Sequence, residues 1–229
     1  MAIDKNKIMC VVEGKHDLFF IEYILKKYCK TEKSQIKNFN NSVPKNKQKN
    51  KETTEIRNFI EPSSPYHVLI KSENGKKGII SLLSDVIVSF AMKNNSNNKL
   101  YIVMDSDHQD IKSLINEIKQ TLSSQRQLTT TCKDIKIKNS NSLCKQFYLV
   151  NCKVSFHNEK RNANIKLIVV NPSLEIICDI EENDDESSLN KKIDEYCESN
   201  KENISGILDQ LTQVSANCQQ TIRSFSTIQ

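Results

Sequence analysis

A chain of 229 residues is long enough for one α/β core with a small appendage. Its 33 basic and 28 acidic residues give a formal net charge of +5, which permits a nucleic-acid partner without demanding one. The eight cysteines form no Cys-x-x-Cys pair and no apolar run reaches membrane-spanning length, so a zinc ribbon and a membrane partner are not expected and a cytoplasmic location is.

Ile8-Met9-Cys10-Val11-Val12 is apolar and rich in β-branched residues, which reads as a short buried strand. The run stops at Glu13-Gly14. Leu18, Ile21, Leu25 and Tyr28 then fall at helical spacing, so a helix is expected over roughly residues 16–29. Glu13 therefore stands where a strand ends, the edge of an open α/β sheet at which ligands bind. Residues 30–62 read as a basic insertion carrying Lys30, Lys33, Lys37, Lys45, Lys47, Lys49, Lys51 and Arg57, with a short element around Glu52 to Phe59. It is either a solvated loop or a basic arm for phosphates. Pro65 to Lys71 reads as the second strand. Glu73 to Gly78 turns the chain into a helix striped with Ile79, Leu83, Val86 and Phe90. This turn is not a P-loop. Lys76 and Lys77 at a helix start are candidate phosphate contacts, against the plainer reading of an ordinary turn.

Lys99 to Met104 reads as the third strand and runs into Asp105-Ser106-Asp107-His108-Gln109-Asp110. Ile111, Leu114, Ile115, Ile118 and Leu122 make one helical face after it. Residues 129–163 read as a β-ribbon insertion at the sheet edge, with Ile135 and Ile137 facing the alternating run Phe147 to Val154. Lys133, Lys136, Lys138, Lys145 and Arg161 in this stretch are candidate nucleic-acid contacts, weighed against lysines that merely protect an edge. Ile165 to Val170 reads as the fourth strand and runs into Asn171-Pro172-Ser173-Leu174-Glu175. An acidic linker at 181–186 leads to a helical appendage over 187–217, striped by Leu189, Ile193, Tyr196, Ile204, Leu208 and Leu211.

If these strands are parallel, Glu13, Asp105, Asp107 and Glu175 meet at one edge. Gathered carboxylates repel unless a cation or protons intervene, and a hard divalent ion suits them. Glu13, Asp105, Asp107 and Glu175, with Asp110 a weaker fifth, are therefore the candidate Mg²⁺ or Mn²⁺ ligands. Glu13, Asp105 and Asp107 are also the candidate catalytic groups, and Lys15 could offset charge on a phosphate. His16 and His108 flank these carboxylates. Each is read equally as a proton-transfer group and as an ordinary surface residue.

Glu13 after the first strand, followed later by Asp105-Ser106-Asp107, resembles the pattern of a Toprim domain, the metal-binding α/β module of topoisomerases, primases of the DnaG type and OLD-family nucleases. Val12-Glu13-Gly14-Lys15 with Asp17 resembles the opening of Toprim ribosomal RNA maturases. Asn171-Pro172-Ser173-Leu174-Glu175 is similar to the Asn-Pro-x-x-Glu of RloB-type proteins. Asp107 is not followed by the glycine of many topoisomerase and primase versions. The resemblance implies a mostly parallel Toprim or Rossmann-like sheet over residues 1–180, flanked by helices, with an antiparallel edge and C-terminal helices. It also implies a Mg²⁺- or Mn²⁺-dependent endonuclease acting on DNA or RNA, for instance in a defence system. The alternative is a Toprim-like nucleic-acid-binding or regulatory subunit without turnover of its own. An ATPase or other protein partner and a homodimer stay open.

Overall fold

The computed structural model describes residues 7–40, 54–61, 63–73, 75–80, 82, 98–123, 128–131, 146–156 and 162–211. Strand β1 (Ile8–Val12) is buried at every position. Ile8, Cys10 and Val12 point into one core, and Met9 and Val11 into the other. A strand covered on both faces reads as a continuous apolar run, which is why β1 is legible in the sequence. Helix α1 (Lys15–Lys27) buries Leu18, Ile21 and Leu25 at the expected spacing.

The chain continues through β2 (Ile36–Asn40), a helix over residues 54–60 (α2), β3 (Val68–Ser72) and a helix opening at residue 76 (α3). Next come β4 (Lys99–Asp105), α4 (Ile111–Ser123), β5 (Leu128–Thr131), β6 (Phe147–Phe156) and β7 (Asn162–Val170). A single turn, α5 (Leu174–Ile177), precedes α6 (Glu186–Ser199) and α7 (Lys201–Leu211).

The strands form one sheet in the order β2-β3-β1-β4-β7-β6-β5. From β2 to β7 all neighbours are parallel, whereas β6 and β5 add an antiparallel end. Residues from α1, α5, α6 and α7 cover one face, and residues from α2, α3 and α4 the other. This mixed sheet between two helical layers has the broad Rossmann-like architecture to which Toprim domains belong. The stripe Leu189, Ile193, Tyr196, Ile204 and Leu208 is buried in the first core, so α6 and α7 pack on the sheet.

Two local expectations change. The second expected strand starts at Val68 rather than Pro65, because Lys7 Nζ takes the Tyr66 carbonyl and, at 2.9 Å, the Ser64 carbonyl. An unexpected strand, β2, runs parallel to β3 inside the 30–62 stretch. Polar Lys37 and Asn38 hide it from a hydrophobic pattern, and their side chains are taken up by Glu55 and Glu22. The expected antiparallel edge is present: β6 pairs with β7 on one side, Phe147 opposite Val170 and Leu149 opposite Ile168, and with β5 on the other, Thr131 opposite Lys153. Ile135 and Ile137, expected to pair there, lie outside the described residues, as do Lys133, Lys136, Lys138, Lys145 and Arg161.

Candidate functional site

From β1 the chain fills one side of the sheet with β2 and β3, then crosses to lay β4 and β7 on the other. The carboxyl ends of β1 and β4 therefore border a topological switch point, where α/β sheets open a crevice. Val12 lies opposite Val103 in register. One step on, Glu13 N–H donates to the Val103 carbonyl at 3.1 Å. The Glu13 side chain crosses the same gap, and its Oε2 accepts the Asp105 N–H at 3.1 Å. Gly75 N–H donates to the Glu13 carbonyl at 3.2 Å, which brings the β3–α3 turn to the same edge.

Asp105 ends β4 and is buried. Its Oδ1 accepts the Leu174 N–H at 3.2 Å, so the first turn of α5 is docked on it. Ser106 N–H donates to the Val170 carbonyl at 2.7 Å, and Ser106 Oγ donates to Asn171 Oδ1 at 2.8 Å. Asp107 N–H reaches the Pro172 carbonyl at 2.9 Å. The Asp105–Asp107 turn and the Asn171–Glu175 turn are thus laced together. Asp107 and His108 both have left-handed backbones, with φ of 49° and 64°. Aspartate and histidine tolerate that region better than most side chains do. The reversal exposes Asp107, and Lys76 Nζ meets its Oδ2 at 2.6 Å.

Asp17, in the first turn of α1, joins this group from below. Its Oδ2 accepts the Gly14 N–H at 2.9 Å, while its buried Oδ1 has no hydrogen-bond partner among the described residues. Burial, then the neighbouring Asp105 charge, holds the Asp17 carboxyl well above the usual aspartate range. Burial, followed by the Glu175 and Glu13 charges, pushes Asp105 up to about 7. Glu13 is raised as well, chiefly by burial, against the opposing pull of the Asp105 N–H and Lys76. The carboxylates are near enough to repel, as the strand order leads one to expect.

The remaining candidates divide. Glu175 takes His16, with Nδ1 at 2.8 Å from its Oε1. Asp110 serves as the cap of α4, its Oδ2 accepting the Ser113 N–H at 3.1 Å. Lys15 is exposed and lies 5.5 Å from the Phe19 ring centre. Lys77 is exposed at the start of α3. A Mg²⁺ ion demands near-octahedral oxygen ligands about 2.0–2.1 Å away. Among the described residues no three His, Cys, Asp or Glu side chains gather into a group that could hold a metal ion. The carboxylates have the right chemistry, and one oxygen of each of Glu13, Asp105, Asp107 and Glu175 is taken by a protein donor. Asp17 is the member of this edge absent from the expected site, whereas His16 is read from the sequence as a proton-transfer group or a surface residue. Asp17 stands in the opening motif, and its position in the first helical turn is the signal that could have found it. Nothing in the sequence announces that His16 meets Glu175, 159 positions away.

A family model described as "Protein of unknown function (DUF3226)" matches residues 7–146, from the residue before β1 to the one before β6. The chain belongs to this family. The DUF3226 match takes in Glu13, His16, Asp17, Lys76, Asp105 and Asp107. It stops short of β7 and α5, which supply Asn171, Leu174 and Glu175. No curated protein and no solved structure matches the chain. Among the described residues no helix is long and apolar enough to cross a membrane.

Proposed function

We propose that this DUF3226 chain is a Toprim-like nucleic-acid-binding or regulatory subunit of a larger complex, without turnover of its own. The observation that supports it most is the state of the carboxylates. They stand in Toprim order at a switch point, yet Glu13, Asp105, Asp107 and Glu175 are each held by a protein donor. The lysines at the starts of α1 and α3 add positive charge to the same edge. The test uses labelled single- and double-stranded DNA and RNA, each with Mg²⁺ and with Mn²⁺. Retardation in a gel without product is expected. Cleavage that disappears in both Glu13→Ala and Asp105→Ala proteins would overturn this reading.

That overturning result would favour the second reading, a Mg²⁺- or Mn²⁺-dependent nuclease. The sequence likeness to OLD, RloB-type and maturase Toprim proteins, and a role in defence, belong to it. The raised Asp105, Asp17 and Glu13 carboxyls are the observation in its favour, because a cation would relieve their crowding. It requires the carboxylates to close up around an ion, since as they stand no three gather among the described residues. Under the binding reading, millimolar Mn²⁺ leaves the melting temperature unchanged. Under the nuclease reading it raises it.

A further inference from the structure

We propose that Lys99, Lys153 and Lys166 form a docking face for the sugar–phosphate backbone of a nucleic-acid strand, at the opposite end of the sheet from the carboxylates. This deepens the binding reading and rests on it. The three lysines are the basic residues of β4, β6 and β7, which are neighbours in the order β4-β7-β6. Side chains alternate between faces along a strand. Tyr101 and Val103, Phe147 and Leu149, and Ile168 and Val170 point to the face that α1 and α6 cover. Lys99, Lys153 and Lys166 are in step with them and share that face. Register brings them together. Lys166 lies opposite Tyr101, and Lys153 opposite Asn164. Leu100 lies opposite Ile165, so Lys99 is level with Asn164. Lys99, Asn164 and Lys153 thus make one row across three strands, about 10 Å wide at ordinary strand spacing, with Lys166 two residues along β7 from Asn164. Lys153 and Asn164 are exposed, and Lys99 and Lys166 half-buried.

Lysine is scarce in strands, and where it stands on an edge strand it guards against unwanted pairing. That account does not serve here. The sheet ends at β2 and β5, and β4, β7 and β6 each have a strand on both sides. Lys166 Nζ stands 5.7 Å from the Tyr101 ring centre, an attraction that fixes the ammonium. Burial, then the Lys99 charge, holds it below the usual lysine range, so the two cations are close enough to repel. An anion laid across them relieves that repulsion. The one acid of these three strands, Asp105, ends the seven-residue β4 that Lys99 opens, roughly 20 Å away. A phosphate on the lysine row therefore avoids the carboxylates. Ammonium groups make charge-assisted bonds to phosphate oxygens, and the Asn164 amide can donate to a phosphate or a sugar. Such a face holds a backbone without reading its bases.

The deciding variant combines Lys99→Gln, Lys153→Gln and Lys166→Gln. Glutamine keeps much of each stem and removes the charge. Binding of labelled single-stranded DNA and RNA oligonucleotides is followed by anisotropy across a salt series. Each lost phosphate contact on a single strand should cut the slope of log affinity against log salt by about 0.7, so the variant should lose about 2. Over a fourfold rise in salt, the unaltered chain should then weaken roughly twentyfold more than the variant. Lys99→Arg, Lys153→Arg and Lys166→Arg together should keep the slope. A control of equal charge, Lys26→Gln with Lys112→Gln and Lys191→Gln, removes exposed lysines of α1, α4 and α6 and should leave the slope nearly unchanged. Melting scans verify that each variant is folded. If the triple glutamine variant does not fold, Lys99→Gln with Lys153→Gln keeps the half-buried Lys166 and should lose about 1.4 of slope. An unchanged slope in the glutamine variant, or an equal loss in the control, overturns the proposal while leaving the binding reading in place. Absence of binding by the unaltered chain overturns both this proposal and the reading on which it rests.

Discussion

Glu13 Oε2 accepts the backbone N–H of Asp105, so the first carboxylate of the edge is spent on the strand that carries the second. This bond carries the pairing of β1 and β4 past the end of the backbone ladder. It also places the two acids close together in a partly dry setting. One Asp105 oxygen meets the Leu174 amide, and no cation among the described residues pairs with it.

The proton on Asp105 makes stability depend on pH. The folded chain holds it up to about 7, whereas an unfolded aspartate releases it near 3.9. Between those values the folded state binds more protons than the unfolded one, so stability falls as pH rises. The contribution is complete below about pH 4 and gone above about pH 7. Asp17, also raised, acts in the same direction. Asp105→Asn should flatten part of this slope and melt several degrees higher than the unaltered chain at pH 8. Thermal scans from pH 4 to pH 8 check it. A melting temperature that rises equally in both proteins across that interval would reject the assignment.

Asp17 separates capping from charge. Asp17→Asn keeps an oxygen for the Gly14 N–H and removes the ionisable group. It should be neutral or stabilising at pH 8. Asp17→Ala loses the cap and should cost about 1 kcal/mol. Denaturant melts of the two variants at one pH distinguish them. An Asn variant less stable than the Ala variant would contradict the role given to Asp17.

The two glycines near the site should respond differently. Gly14 is extended, with φ of −137°, and an added Cβ would sit 3.5 Å from Asp17 Oδ2, an ordinary contact. Gly14→Ala should therefore change stability by less than about 0.5 kcal/mol, the usual size of an unstrained substitution. Gly75 has φ of 82°, and a Cβ there meets nothing within 4 Å. Gly75→Ala should lose roughly 1 kcal/mol from backbone strain alone. Chemical denaturation measures both, and equal losses would refute the distinction.

Ser106→Ala should loosen the lacing of the two turns. It removes the Oγ bond to the half-buried Asn171 side chain. A loss of about 1 kcal/mol is expected. Faster hydrogen exchange of the Asp107 amide, which now donates to Pro172, should accompany it. Unchanged exchange there would show that the turns are held independently.

The sheet was legible where a strand is buried on both sides. Ile8–Val12, Leu100–Met104 and Ile165–Val170 needed only their apolar runs. The convergence of Glu13 and Asp105 followed from those runs being parallel. β2 was not legible, because Lys37 and Asn38 satisfy their polar ends on Glu55 and Glu22, and no pattern records such pairings. Lys7 reads as part of a polar lead-in, yet it is buried against the Ser64 and Tyr66 carbonyls with its ammonium 5.5 Å from the Phe59 ring centre. At the site, the sequence reveals which acids arrive but not what meets them. Glu175 could be expected at the edge, but not its hydrogen bond to His16. Gly14 follows the strand in an extended backbone that any residue adopts.

The family match ends at residue 146, and the edge does not. The Val170, Asn171, Pro172 and Leu174 contacts that hold the Asp105–Asp107 turn from the far side lie in the stretch that follows. The acids of the matched portion are thus tuned by residues that lie beyond it. A substitution at Leu174 or Glu175 that moves either neighbour would therefore change the proton affinity of Asp105 without altering a single acidic residue of the matched segment.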